Sequence, residues 1–182
     1  METTEKTNLP SIQEIQQGDI NIPGKLNALN VLLNQEPPES WIKTHPIAKN
    51  VKYIQIDKVE YLLTKIFITW FVEVKECKMV ANSMVTVIRL HYKNPITDQM
   101  EWTDGVGAAN LQVNSGAAAS DFEKIKHNAV EIAAPKSKTA AVKDAAENLG
   151  KIFGKDLNRK DTLDYDTLLN TSRFENAKIT ER

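Results

Sequence analysis

The chain has 182 residues, 41% of them hydrophobic and 26% charged, with a net charge of −1. This is enough for one well-cored domain of ordinary globular composition and too little for two. The lone Cys77 excludes an internal disulfide and a Cys-based zinc site, no apolar run reaches the roughly 20 residues of a membrane span, and the polar, acidic start Met1-Glu2-Thr3-Thr4-Glu5-Lys6 is no secretory signal, so a cytoplasmic protein is expected.

Residues 1–23 contain Pro10, Gly18 and Pro23 without a sustained period, and read as a flexible N-terminal arm with a turn of helix at Ile12–Gln16. Leu26, Leu29, Leu32 and Leu33 are spaced for a short amphipathic helix over Gly24–Asn34, ended by Pro37-Pro38. Trp41–Thr44 and Val51–Ile54 read as short extended segments around a turn at Pro46. Asp57 with Glu60 three residues later is a capping pattern that predicts a helix to about Phe67, with Val59, Leu62, Leu63 and Ile66 facing inward.

From Ile68 the period becomes two. Trp70, Val72 and Val74 alternate with polar residues, the alternation slips at Lys75-Glu76, and it resumes at Cys77 and Met79, which predicts a β-bulge in a bent strand. Met84–Tyr92 and Met100–Val106 are further strands, joined by a turn at Asn94–Asp98 and closed by a glycine turn at Gly105-Val106-Gly107. Asn114–Ser120 is a small-residue loop. Ser120 or Asp121 is placed to cap a short helix through Phe122, Ile125 and Ala129, and Pro135 breaks the chain there. A long Ala-rich helix then spans Lys136 to Arg159, stopping at Lys151-Ile152-Phe153-Gly154 and running into Lys155-Asp156-Leu157-Asn158-Arg159-Lys160. Val142, Ala145, Ala146, Leu149, Ile152 and Phe153 lie on its apolar side, and Lys143, Glu147, Lys151 and Lys155 on a polar face. Residues 161–182 form an acidic C-terminal tail with helical turns around Tyr165–Leu169, a candidate contact for a protein partner. The fold class that results is α+β, an antiparallel three-stranded bent meander packed on a long helix with extra short helices (a β-β-β-α core). A single domain over residues 24–160 carries it.

Charge is distributed unevenly. Residues 43–93 hold 9 basic and 4 acidic residues, and residues 124–160 again 9 and 4, whereas residues 94–123 hold no basic residue and 5 acidic ones. Two blocks of net +5 folded against each other would make a positive groove inside a neutral protein. The candidate phosphate contacts are Lys136, Lys138, Lys143, Lys151, Lys155, Arg159 and Lys160, with a second set at Lys43, Lys49 and Lys52. Trp41 and Tyr53, among lysines, are candidates for base stacking. Trp70 and Trp102, on strands, are read as core. A strand–glycine turn–basic helix order has room for a polyanion between helix and sheet.

Catalytic signals are missing. His45, His91 and His127 lack metal-ligand spacing. Gly105-x-Gly107 lacks the Gly-Lys-Ser/Thr ending of a phosphate loop. Asp98, Glu101 and Asp104 cluster beside a turn, where acids are ordinarily solvated. The reading is therefore a non-enzyme with no cofactor and no metal.

The order of elements resembles single-strand annealing proteins of the Rad52 type, including their phage relatives. Val51-x-Tyr53-Ile54 followed by Val59 resembles the entry to the family's first core helix. Thr103-Asp104-Gly105-Val106-Gly107 resembles the end of its third strand, and Ala141-Val142-Lys143-Asp144-Ala145 through Phe153-Gly154 its long helix. The match covers about residues 41–160. The resemblance implies an ATP-independent homo-oligomer, a ring or helical arc, that binds and anneals single-stranded DNA in recombination and repair. It implies that Lys151 contacts the DNA backbone, that Tyr53 lies near the groove, and that Lys43 or His45 supplies a basic group. This chain departs from the family at Glu147-Asn148, which replaces a Lys-Arg pair. The alternative is a non-catalytic interaction module of a phage or mobile element.

Overall fold

A computed structural model describes residues 22–46, 48–118 and 120–160. The expected turns at Ile12–Gln16 and Tyr165–Leu169, and the tail as a partner contact, lie outside them. The order is α1 (Ile22–Leu33), a 3-10 turn (Glu39–Trp41), β1 (Ile42–Thr44), β2 (Lys52–Ile54), α2 (Ile56–Phe67), β3 (Trp70–Val80), β4 (Ser83–Lys93), β5 (Met100–Asn110), a 3-10 turn (Phe122–Lys124), α3 (Ala129–Glu147) and a 3-10 turn (Lys151–Phe153). The fold is α+β, as the patterning predicts. Strands β3-β4-β5 form an antiparallel meander, and β1-β2 a separate hairpin. Among the described residues no helix is long and apolar enough to cross a membrane.

The expected bulge is present: Val74 pairs with Ile88 and Glu76 with Val87, leaving Lys75 as the extra residue. β4 is the central strand, and its Met84, Thr86, Ile88 and Leu90 are buried beneath α3. One core joins Ile88 and Leu90 to Leu63 and Ile66 of α2, Ala141 and Ala145 of α3, and Phe153, while Met84 belongs to a second, smaller cluster with Leu111, Ala129 and Ala133. The opposite sheet face carries no helix among the described residues and leaves Phe71, Trp102 and Val106 about half exposed.

Gly105 and Gly107 do not form a turn. They lie within β5, which continues to Asn110. A Cβ at Gly105 would overlap the Ala141 carbonyl oxygen and the Ala145 methyl, and one at Gly107 the backbone of Ala141 and Ser137. The helix thus rests directly on the glycines, and no space for a polyanion remains between them. Under this contact the Ser137 hydroxyl, fully buried, donates to the Ala134 carbonyl and is 2.7 Å from that of Thr86. Each buried hydroxyl therefore has a partner.

Four further expectations change. Asp57 is inside α2, whose N-cap is Gln55 without a side-chain bond. The segment after Ser120 forms only a 3-10 turn, because the chain bridges Val113 to Ile125 as an extended pair. Pro135 lies inside α3, which starts at Ala129. Its lost hydrogen bond is offset by burial of Ala129 and Ala133 against Met84 and Leu111. The helix ends at Glu147, before the expected stop at Lys151-Ile152-Phe153-Gly154, so Lys151, Lys155, Arg159 and Lys160 do not continue the face of Lys143. Gly150 marks the stop, since any side chain there would overlap the Leu33 carbonyl of α1.

Candidate nucleic-acid interface

The two basic blocks meet at the β1-β2 hairpin. Lys43 pairs with Tyr53 across it, so both side chains share one face. The Lys143 ammonium lies 4.6 Å from the centre of the Tyr53 ring, tying α3 to the hairpin by a cation–π contact. His45 meets the same ring edge-on at 6.3 Å, and its Nδ1 accepts from the Ala48 amide at 3.0 Å.

Asn158 makes the second tie. Its Oδ1 accepts from the Lys52 amide at 2.7 Å, and its Nδ2 donates to the Lys52 carbonyl at 2.8 Å. The side chain acts as one more strand residue on the outer edge of β2, and it brings the segment after Gly154 alongside the hairpin. Lys43, Lys49 and Lys52 from one block and Lys155, Arg159 and Lys160 from the other are all exposed there. Nothing in the spacing of Asn158 marks it as a clamp, since its partner is 106 residues away.

Not every predicted contact belongs to this surface. Lys151 is only 11% exposed, with Asp156 at 3.6 Å and Glu36 at 4.0 Å. Its ammonium balances acids inside the turn instead of projecting toward a ligand. Asp156, 10% exposed, also has Arg159 Nε at 3.1 Å from Oδ1, an ion-pair distance without the alignment of a hydrogen bond. Lys136 shares the Lys143 stripe of α3 two turns away, roughly 10 Å along the axis, while Lys138 is about 200° around the helix from Lys136. Both are exposed.

Lys143 is half buried, and burial lowers the pKa of its ammonium, with the Glu147 carboxylate opposing. Burial, then the neighbouring Asp144, raises Glu147 above the ordinary carboxylate range against the pull of Lys143. Asn148 tethers the edge of the sheet. Its Nδ2 donates to the Thr103 hydroxyl at 3.3 Å and the Asp104 carbonyl at 3.2 Å, while Asp144 Oδ2 accepts from the Val106 amide at 2.9 Å. Asp144 and Asn148 thus have a structural job on β5.

The aromatic residues divide differently from expectation. Trp70 is part of the core margin and donates Nε1–H to the Thr64 hydroxyl at 3.0 Å. Tyr92 is partly buried beside Glu101, and its phenol is pushed up to about 12, chiefly by burial. Trp102 is not in the core. It is 55% exposed on the open sheet face, because its register partner His91 points away from α3. The Arg89 guanidinium covers its ring at 3.7 Å and pairs with Asp104 through two bonds of 2.7 and 2.9 Å. Trp41 is partly buried, edge-on to Tyr61 at 5.9 Å, with Lys58 over its ring.

Among the described residues no group of His, Cys, Asp or Glu is arranged to hold a metal ion. Comparison with protein-family models gives no match, and neither does comparison with curated proteins.

Proposed function

We propose that this chain binds single-stranded DNA along the hairpin surface and promotes annealing as a homo-oligomer, without ATP and without a catalytic step. One observation carries the reading. Lysines from two distant basic blocks converge beside an aromatic ring, held there by Asn158 on β2 and by Lys143 on Tyr53. Exposed cations without a base-reading element suit sequence-independent phosphate contact, and Tyr53 offers a ring for stacking. The revised contact set is Lys43, Lys49, Lys52, Lys155, Arg159 and Lys160, with Tyr53 and Lys143 beside them and Lys136 as an extension. Lys151 is withdrawn from it because its charge is spent internally.

Fluorescence anisotropy with a labelled single-stranded oligonucleotide, repeated across salt concentrations, tests this. The expected result is binding with little sequence preference that weakens steeply with salt. Absence of binding, or affinity indifferent to salt, sinks the proposal and leaves the interaction-module reading. Complementary oligonucleotides mixed with and without the protein then test annealing itself.

A further inference from the structure

The two edges of the meander are treated differently. On β5, Asp144 and Asn148 of α3 occupy the outward Val106 amide and Asp104 carbonyl. On β3, among the described residues, no backbone or side-chain group bonds the outer edge of Trp70–Val80, and nine of its eleven residues are exposed. A strand this long with an open edge is a template for another strand.

We propose that β3 pairs antiparallel with β3 of a second copy about a two-fold axis, joining two meanders into one six-stranded sheet. The argument is the strand's complementarity to itself. With the axis at the bulge, Phe71 faces the second copy's Val80, Val72 its Met79, Glu73 its Lys78, and Val74 its Cys77. Lys75 and Glu76 meet their counterparts at the axis, cation to carboxylate. Directly opposed residues must share a sheet face, and only the bulge makes this register meet that condition. Phe71, Glu73, Lys78 and Val80 all lie on the open face, whereas Val72, Val74, Cys77 and Met79 lie on the α3 side. Neighbouring registers fail. Sliding one way sets Glu73 opposite Glu76, and sliding the other way sets Glu73 opposite Val80 with less overlap.

Charge and apolarity both match. Lys75 and Lys78 now pair within their own strand with Glu73 and Glu76, at 2.9 Å each, so the edge is neutral and its ion pairs can be exchanged across the axis. Val74, Met79 and Val80, each about half exposed, would be covered. Such a contact is isologous and closes at two copies. It is a different surface from the DNA face and does not depend on that reading.

Sedimentation of the full chain, reduced and without DNA, tests the pairing, with circular dichroism as a check on folding. Wild type should be a dimer of the 20.5 kDa chain. Lys78→Glu, an exposed change, should raise the dissociation constant by roughly tenfold, because two attractive cross-strand pairs become repulsive. Adding Glu73→Lys should restore the dimer. Val74→Cys, facing Cys77 of the second copy, should give a covalent dimer with oxidised glutathione, while Met79→Cys, facing Val72, should not. A monomeric wild type, a dimer indifferent to Lys78→Glu, failure of the double variant to recover, or no Val74→Cys cross-link would each overturn the proposal.

Discussion

Three residues separate Lys151 from Lys155, yet the first ammonium is enclosed by Asp156 and Glu36 and the second reaches solvent. The two should therefore fail in different ways. Lys155→Ala is expected to weaken DNA binding and leave thermal stability unchanged. Lys151→Ala leaves the nearly buried Asp156 with Arg159 as its remaining cation among the described residues and is expected to cost about 2 kcal/mol of stability, which denaturant titration measures. Glu147 makes a second residue-level test. Its raised pKa means the native state favours the neutral acid, so its contribution to stability is complete at low pH and is lost as pH rises through that pKa. Glu147→Gln should raise the melting temperature at neutral pH and make little difference below the ordinary value of 4.5. Protonating Glu147 also removes a negative charge beside Lys143. DNA affinity should accordingly rise as pH falls toward the carboxylate range, and Glu147→Gln should flatten that rise. Glu147→Lys should bind more tightly than wild type at neutral pH.

At the scale of elements, the β5–α3 contact governs the rest. Small residues on both sides, Gly105 and Gly107 against Ser137, Ala141 and Ala145, bring the helix backbone onto the strand. That proximity lets the short side chains of Asp144 and Asn148 reach the strand edge. Gly107→Ala places a methyl inside the helix backbone, which has no flexible end to yield. The expected loss is about 3 kcal/mol or more, read by thermal unfolding, with the outward Ala108→Gly as a mild comparison. If Gly107→Ala melts like wild type, the contact is looser than described. The same element shows why Pro135 is tolerated: it is exposed, on the side of α3 away from the sheet, while Ala129 and Ala133 anchor the turns before it.

Across the whole molecule, a net charge of −1 conceals a polar division of surfaces. The hairpin surface collects lysines that have no ion pair among the described residues. The open sheet face, by contrast, neutralises itself through Arg89 with Asp104, Lys75 with Glu73 and Lys78 with Glu76. Phosphate should go to the first surface and not the second. Lys52→Ala with Lys155→Ala should lower the log–log salt slope of single-strand binding by roughly 0.7 per lysine, whereas Arg89→Ala should leave it unchanged. An Arg89-dependent slope would move the DNA path to the open face.

The sequence by itself determined the α+β class, the three-stranded meander, the bulge at Lys75 and the inner face of α2. Each follows from local periodicity, and burial on one face enforces that period. It also carried the presence of two basic blocks. Only the tertiary structure decided where the long helix starts and stops, because Pro135 and Gly150 act through their neighbours Met84, Leu111 and Leu33, which are distant in sequence. It alone turned the glycine pair from a turn into a helix-packing strand, and Trp102 from core to surface, since a strand's hydrophobic pattern does not say which face receives the helix. The candidate site was legible as a list of lysines but not as a place. Asn158 joins the blocks through backbone atoms of Lys52, and Lys151 leaves the set because Glu36 and Asp156 fold around it; neither effect has a sequence period.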